Sequence, residues 1–249
     1  MAFVNGDIDF YGRVGNYIYY KRKGKRVVRE VRNNYKEKLN TRNSMATIRK
    51  NNNEFGYASQ FGKTLKHSFS EWIVYAQDSN LSGRLLKFMK KIMTQDTIRP
   101  FGKRSVVNGD FTILKGFNFN SDCPLNNTFY YNPFITVDRK KGFVTASLPS
   151  FNCNEALRIP KNATHFKIIL CCSEVDFINQ KSKSDHLLTD ATTIDNLSPS
   201  ESFIFSITKR GRKPVFVAMG IQYFQMINGV LNPILNRKFN PFAIVEVNY

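Results

Sequence analysis

The chain is poor in acidic residues, which number 19 against 37 lysines and arginines among 249 residues. The resulting net charge of +18 attracts anionic partners. The sequence also lacks an apolar run long enough to cross a bilayer. Its first eleven residues include Asp7 and Asp9 and no apolar stretch, so they do not match a secretory signal. We therefore expect a cytoplasmic protein without a membrane span.

Familiar patterns of metal-binding and catalytic residues are missing as well. There is no CxxC pair, and the three histidines (His67, His165, His186) are isolated in the sequence. Cys171 and Cys172 are adjacent in a run typical of a strand, so we expect their side chains on opposite faces, buried as small hydrophobes. The sequence predicts no metal site, no cofactor and no enzymatic activity.

One segment resembles a phosphate-binding loop. Residues 56–64 read GYASQFGKT, with five residues between the two glycines where the motif requires four. The preceding residues 51–54, NNNE, are not an apolar strand, which the motif also requires. The segment instead continues a helical pattern, and we do not expect it to bind a nucleotide.

The positive charge is concentrated in the first part of the chain. Residues 1–107 contain 22 lysines and arginines and 8 acids, whereas residues 108–249 contain 15 and 11. The abundance of aromatics, 22 Phe and 11 Tyr, indicates a folded protein. We predict two parts: a basic hairpin with a helical region over residues 1–107, and a second domain over residues 108–249.

The first part begins with strand and helix patterns. Residues 9–32 predict a β-hairpin, with strands near 17–20 and 26–31 around a glycine-containing turn at 21–25. Residues 33–44 are polar and predict a linker. Residues 81–94 predict a helix with one apolar face. A longer apolar stripe at helical spacing precedes that helix and is formed by Phe55, Ala58, Gly62, Leu65, Phe69, Trp72 and Ala76.

The second part reads as a series of strands separated by turns. Residues 134–148 predict a hairpin, and further strands are expected over 166–175, 202–208, 215–225 and 242–247. Residues 176–200 predict a long polar loop. Because no helix pattern separates the strands, we expect an antiparallel β-sandwich of the immunoglobulin-like kind, and the whole chain to be α+β.

The candidate binding site is the first hairpin together with the basic face of the second helix. Cations neutralise phosphates and release counterions, and aromatic rings offer stacking surfaces for bases. The alternative is a solvated hairpin tip whose tyrosines pack inward. The predicted stacking residues are Tyr17, Tyr19 and Tyr20. The predicted polyanion-binding residues are Lys21, Arg22, Lys23, Lys25, Arg26, Arg29, Arg32, Arg84, Lys87, Lys90 and Lys91.

These features predict a non-enzymatic basic protein that binds nucleic acid or another polyanion through its N-terminal part. A second hypothesis is a structural subunit of a larger assembly, phage-like or associated with the cell envelope. In that case the basic segment would dock on an acidic protein surface, and the second domain would pack against copies or partners.

Three stretches carry a resemblance to a protein family. Residues 12–21 (GRVGNYIYYK), leading to residues 24–29 (GKRVVR), resemble the opening of an uncharacterised family seen in Bacteroidetes. In that family an arginine-bearing segment follows the hairpin, here residues 41–49, and residues 115–120 (KGFNFN) are similar as well. The resemblance covers the first half of the chain best. It implies a two-part layout and no established activity or site residues.

Overall fold

The computed structural model describes residues 2–3, 11–22, 24–31, 35–195 and 197–249. Its fold is mixed α+β, with N-terminal strands and a long helix followed by antiparallel sheets that curl into a half-barrel. The chain divides into two compact units, Met1–Asn51 and Asn52–Tyr249, and each unit is described by itself. The domain boundary expected near residue 107 stays a prediction.

The first unit contains a small antiparallel sheet. Its strands lie in the order β1-β4-β3-β2. Gly15, at φ +58°, precedes β3 in the connection from β2, and this left-handed conformation suits a glycine. The predicted hairpin is confirmed, since β3 and β4 pair directly with each other. The strand bounds are β1 (Ala2–Phe3), β2 (Gly12–Val14), β3 (Tyr17–Arg22) and β4 (Lys25–Glu30).

The prediction of a linker over residues 33–44 was wrong for residues 35–44, which the structure describes. A helix, α1 (Tyr35–Thr41), is followed by a 3₁₀ turn, Asn43–Met45. Arg49 donates hydrogen bonds to the carbonyls of Leu39 (2.6 Å) and Arg42 (2.9 Å), near the end of α1. A cation there stabilises the helix C-terminus. Because this polar helix has no apolar stripe, its periodicity is invisible in the sequence.

Three further helices follow: α2 (Ala46–Ser68), α3 (Ser70–Ile73) and α4 (Leu81–Met93). The second predicted helix is confirmed as α4. The longer stripe is confirmed at five buried positions, Ala58, Gly62, Leu65, Phe69 and Ala76, although the helix itself is interrupted at Phe69, the residue before α3. Phe55 is 55% exposed, contrary to the prediction, because Glu54 takes the inward position at this turn of α2.

The second unit contains two antiparallel sheets. One has the strand order β10-β6-β5, and the other has the order β12-β11-β7-β8, with β13 also beside β11 and β9 beside β7. The strand bounds are β5 (Phe134–Asp138), β6 (Phe143–Leu148), β7 (His165–Asp176), β8 (Lys181–Leu188), β9 (Thr192–Thr193), β10 (Glu201–Ser206), β11 (Val215–Ile227), β12 (Val230–Pro233) and β13 (Phe242–Asn248). A short helix, α5 (Cys153–Ala156), follows β6.

The larger sheet separates two hydrophobic cores. One face, which includes Cys171 and Phe216, shares a buried cluster with residues of α2 and α4. The other face, which includes Cys172 and Val217, shares a cluster with the smaller sheet. Cys171 and Cys172 therefore point to opposite faces and are buried, as the alternation of a strand predicts.

All five strand regions predicted beyond residue 108 are confirmed, but the polar loop expected over 176–200 was wrong. Most of its first half forms β8, which pairs with β7 from Ile169↔Leu188 to Asp176↔Lys181. Residues 181–185 of β8 are exposed, so the strand shows no apolar alternation in sequence. The sheets are antiparallel as expected, while an immunoglobulin-like sandwich is not confirmed and stays a prediction.

Candidate polyanion-binding hairpin

Strands β3 and β4 form a tightly turned ribbon. They pair from Tyr17↔Glu30 to Arg22↔Lys25, so only two residues connect them. Gly24, the second of these, has φ +78°, which glycine adopts at little cost. The strands therefore continue into the segment 21–25 that the sequence assigned to the turn. Lys21, Arg22 and Lys25 of that segment therefore lie on paired strands.

The register distributes the predicted site residues over both faces of the ribbon. Residues directly opposite each other point to the same face, and successive residues alternate. We call the two sets the Lys21 face and the Arg22 face. The Lys21 face contains Tyr17, Tyr19, Lys21, Arg26, Val28 and Glu30. The Arg22 face contains Ile18, Tyr20, Arg22, Lys25, Val27 and Arg29.

Like charges face each other at the end of the ribbon. Lys21 lies directly opposite Arg26, and Arg22 lies directly opposite Lys25. Opposed side chains of this kind stand about 5 Å apart at their Cβ atoms, and like charges there destabilise a sheet. We call these four residues the hairpin tip. Two adjacent like-charge pairs concentrate positive charge at the hairpin tip.

The three tyrosines differ in exposure. Tyr17 is 51% exposed and lies opposite Glu30, near the base of the hairpin. Tyr19 and Tyr20 are half-buried, on opposite faces of the ribbon. Tyr17 therefore offers the largest ring surface for stacking among the three predicted residues.

Sequence reasoning missed one basic residue of this sheet. β2 pairs with β3, and Arg13 lies directly opposite Ile18, on the Arg22 face. Its Nε donates a hydrogen bond of 3.0 Å to the carbonyl of Gly15. The signal was the pair Gly15-Asn16, which is typical of a two-residue hairpin turn and would have indicated β2.

Of the other predicted cations, Arg29 is exposed on the Arg22 face, and Lys23 and Arg32 lie outside the described residues.

Arg84 of α4 is held by contacts within its own unit. It donates hydrogen bonds to the carbonyls of Asn118 (2.7 Å) and Phe119 (3.1 Å), and it forms an ion pair with Asp78. Its guanidinium carbon also lies 5.1 Å from the centre of the Phe117 ring. These contacts anchor the segment after α4, so Arg84 serves the packing of the second unit.

The three lysines of α4 differ in their surroundings. Lys87 and Lys91 are exposed, whereas Lys90 is half-buried and its charge helps to lower the pKa of Glu54. The hairpin and α4 belong to different compact units, and the cations of each unit are described by themselves.

A cleft of about 420 Å³ in the second unit is lined by Arg158, Lys238, Thr128 and Cys123, among others. Burial raises the pKa of the Cys123 thiol, even though Thr128 and Arg158 act in the opposite direction. A protonated thiol is a poor nucleophile.

Within the described part of the chain, His, Cys, Asp and Glu side chains form no group of three or more that could hold a metal ion.

None of the helices in the described ranges combines the length and apolar character needed to cross a membrane. The resemblance of residues 12–29 to a Bacteroidetes family stays a prediction. No protein-family model, no curated protein and no solved structure matches this chain.

Proposed function

We propose that this protein binds nucleic acid or another polyanion through the hairpin tip, without catalysing a reaction. The observation that supports this most directly is the pairing of like charges, Lys21 with Arg26 and Arg22 with Lys25. A fold that only required a soluble turn would be more stable with mixed charges at these positions. The arrangement places four cations at one end of the ribbon and so strengthens its positive field.

The composition of the first unit supports the same proposal. Residues 1–51 contain 13 lysines and arginines and 4 acids, a net charge of +9. The remaining 198 residues carry the other +9 of the total of +18. Half of the net charge therefore lies in about a fifth of the chain. Such a density attracts polyanions over a distance of about one Debye length, roughly 8 Å at physiological salt.

The proposal is tested by binding of the full chain to fluorescent single-stranded DNA and to heparin at several salt concentrations. We expect affinity to fall steeply with salt, with a log–log slope of about −0.7 for each DNA phosphate neutralised. The variant Lys21→Glu/Arg22→Glu/Arg26→Glu should lose most of its binding to both ligands.

A matched control is needed because each charge reversal also lowers the net charge. Lys140, Lys161 and Lys181 are exposed in the second unit, so Lys140→Glu/Lys161→Glu/Lys181→Glu makes the same change elsewhere. We expect this control to bind nearly as the unmodified protein does. If the hairpin variant retains full affinity, or if both variants lose it equally, the hairpin tip is not the site.

A second function, that of a structural subunit in a larger assembly, is supported by exposed apolar residues on the smaller sheet. On its face away from the core, Phe134, Phe143 and Ile204 are 71%, 43% and 62% exposed. Exposed apolar side chains grouped on one surface are typical of association sites. Sedimentation at increasing concentration tests this function: Phe134→Ser/Ile204→Ser should dissociate an oligomer, and a monomer at all concentrations contradicts it.

A further inference from the structure

We propose that the cleft of about 420 Å³ in the second unit binds a small organic anion, with the side chains of Arg158 and Lys238 holding its phosphate or carboxylate group. The cleft belongs to the second unit and the hairpin tip to the first, so this inference goes beyond the proposed polyanion binding and does not depend on it. Phosphate esters and carboxylates share the chemistry that the cleft offers, an anionic oxygen group attached to an apolar body.

The first argument is that hydrogen bonds join the walls of the cleft. The lining residues lie in three segments of chain, 122–128, 158–159 and 238–239. The Arg158 N–H donates a bond of 2.8 Å to the carbonyl of Thr128, which joins the first two segments. Asn120 Nδ2 donates a bond of 3.1 Å to the carbonyl of Asn240, which joins the residues beside the first and third. Small-molecule sites have volumes of about 300–1,000 Å³ and are mostly formed before the ligand binds, so the cleft has a suitable size and construction.

The second argument is that the fold does not use the guanidinium of Arg158. The backbone of this residue is held by Thr128 and by Tyr223, whose hydroxyl donates to the Arg158 carbonyl at 3.2 Å. Its side chain is exposed and makes no hydrogen bond or ion pair with the described residues, in contrast to Arg84 and Arg104. The guanidinium is therefore available to an anion, to which it can donate two parallel hydrogen bonds.

Lys238 provides a second cation from another wall of the cleft. Its backbone N–H donates a hydrogen bond of 3.1 Å to Asn236 Oδ1, which caps the turn Arg237–Phe239. Its side chain is exposed and, within the described part of the chain, pairs with no acid. Asp122 is the single acid among the described lining residues. Two cations against one carboxylate leave a net positive charge in the cleft, which favours an anionic ligand.

The third argument is the apolar surface beside the cations. Pro124, Ile159 and Phe239 line the same cleft and are half-buried. Burial raises the pKa of the Cys123 thiol in the cleft wall, and the charge of Arg158 opposes this, so the guanidinium lies within electrostatic reach of that wall. A ligand therefore needs both an anionic group and an apolar body to contact both kinds of surface.

The experiment is isothermal titration of the full chain with four probes that separate the anionic group from the apolar body. Phenyl phosphate and benzoate contain both parts, inorganic phosphate contains only the anion, and benzyl alcohol contains only the apolar part. The variants are Arg158→Gln and Lys238→Gln, made singly and together. The matched control is Lys209→Gln/Arg212→Gln, which removes the same two charges from exposed positions in the loop between β10 and β11.

We expect phenyl phosphate, benzoate or both to bind at one site per chain. Inorganic phosphate and benzyl alcohol should bind at least about tenfold more weakly than the better of these two probes, because each lacks one kind of contact. Each single variant should lose about tenfold in affinity, since one hydrogen bond between charged groups is removed, and the double variant should lose binding altogether. The control should bind as the unmodified protein does. The tighter of the two probes identifies the anionic group that the cleft prefers.

A second measurement separates lost binding from lost folding. Because both side chains are exposed and unpaired, the double variant should melt at the same temperature as the unmodified protein without ligand. The better probe should raise the melting temperature of the unmodified protein and of the control, but not that of the double variant. If neither phenyl phosphate nor benzoate binds, or if the cleft variants bind like the control, the cleft is not an anion site. If inorganic phosphate binds as tightly as phenyl phosphate and benzoate, the apolar surface plays no part and the inference of an organic anion is overturned.

Discussion

Glu54 of α2 and Arg104 form a bidentate ion pair across fifty residues of chain. Arg104 Nε donates to Glu54 Oε1 at 2.6 Å, and its Nη2 donates to Oε2 at 2.7 Å. The backbone N–H of Gly102 donates a further bond of 2.9 Å to Oε1. The Glu54 residue is only 3% exposed. The pair fixes the segment that follows α4 against the middle of α2.

Replacing this carboxylate should destabilise the second unit. Glu54→Ala leaves the Arg104 guanidinium, whose side chain is 20% exposed, without its carboxylate, and we expect the free energy of unfolding to fall by about 3 kcal/mol. Urea denaturation measures this loss. The exposed pair Lys115–Glu246 is the control, because Glu246→Ala should cost less than about 1 kcal/mol. Equal losses would show that burial does not strengthen the Glu54 pair.

The same carboxylate makes stability depend on pH. The Arg104 hydrogen bond holds the pKa of Glu54 below its usual value, and a hydrogen bond from the Asn179 backbone is the largest influence on Asp176, whose pKa is lowered to about 2. A lowered folded-state pKa means that the unfolded chain binds more protons in acid. This stability is present above the unfolded-state pKa of about 4 and is lost as the pH falls through the folded-state values.

Melting temperatures between pH 7 and pH 2 test that dependence. We expect a plateau above pH 5 or so and a continuous fall below pH 4.5 or so. Glu54→Gln should start from a lower plateau and fall less steeply, because it has lost one of the titrating groups. If the curve of Glu54→Gln ran parallel to that of the unmodified protein, Glu54 would not be one of the groups whose protonation destabilises the fold.

Substitutions at three glycines distinguish the free-energy cost of a left-handed backbone from the cost of steric crowding by a new Cβ. Gly142 has φ +83°, and a Cβ there would lie 2.7 Å from Lys209 Cγ and 2.9 Å from the Ile207 carbonyl oxygen. Gly116 has the same φ with open space around it. We expect Gly116→Ala to cost about 1 kcal/mol from the left-handed backbone alone, and Gly142→Ala to cost more.

Gly109 provides the opposite case. Its φ is not in the left-handed region, but a Cβ would lie 2.3 Å from the carbonyl oxygen of Ile92 in α4. Gly109→Ala should therefore destabilise the protein by crowding alone, by about 1–3 kcal/mol. Thermal unfolding of the three variants, compared with Gly83→Ala in open space within α4, measures each cost. A Gly109→Ala variant as stable as the unmodified protein would contradict this close approach.

The hairpin tip should gain stability when one charge is reversed. Lys21→Glu places a carboxylate directly opposite Arg26, and an opposite-charge pair is worth about 0.2–1 kcal/mol. Hydrogen exchange of the β3 and β4 amides should slow by up to about fivefold. Arg29→Glu makes the same change opposite Ile18, where no such pair forms, and should not slow exchange. Faster exchange in Lys21→Glu would mean that the opposed charges do not repel.

The cysteines should be unreactive in the native protein. All four are free and buried. Burial raises the pKa of Cys172 to about 12 and that of Cys171 further, so neither thiol ionises at neutral pH. We expect a thiol reagent at pH 8 to modify the native protein only at its rate of unfolding, and to modify four thiols in denaturant. Rapid modification of one native thiol would show that the structure opens around it.

Local patterns were enough to predict much of this fold. The first hairpin, helix α4 and the strands β5, β6, β7, β10, β11 and β13 were predicted from the sequence, because periodicity and turn residues act over a few positions. The opposite orientation of Cys171 and Cys172 follows in the same way from strand alternation. The polar elements α1 and β8 were missed because an exposed element needs no apolar pattern.

The candidate site, like the fold, was predicted from the sequence only in part. The sequence by itself determined which residues are basic and that they cluster near a tight turn. It did not determine that Lys21 and Arg22 point to opposite faces in register with Arg26 and Lys25, since register depends on which residues pair across the turn.

The tertiary structure alone decided the roles of the charged residues in the second unit. Arg84 carries the same charge as Lys87, yet it is bound to the carbonyls of Asn118 and Phe119, more than thirty residues away. Glu54 lies in the polar stretch before an apolar stripe, and it is buried because Arg104 reaches it from beyond α4. Charge is a property of the sequence, but whether a charge faces solvent or a buried partner depends on contacts between segments that only the folded chain brings together.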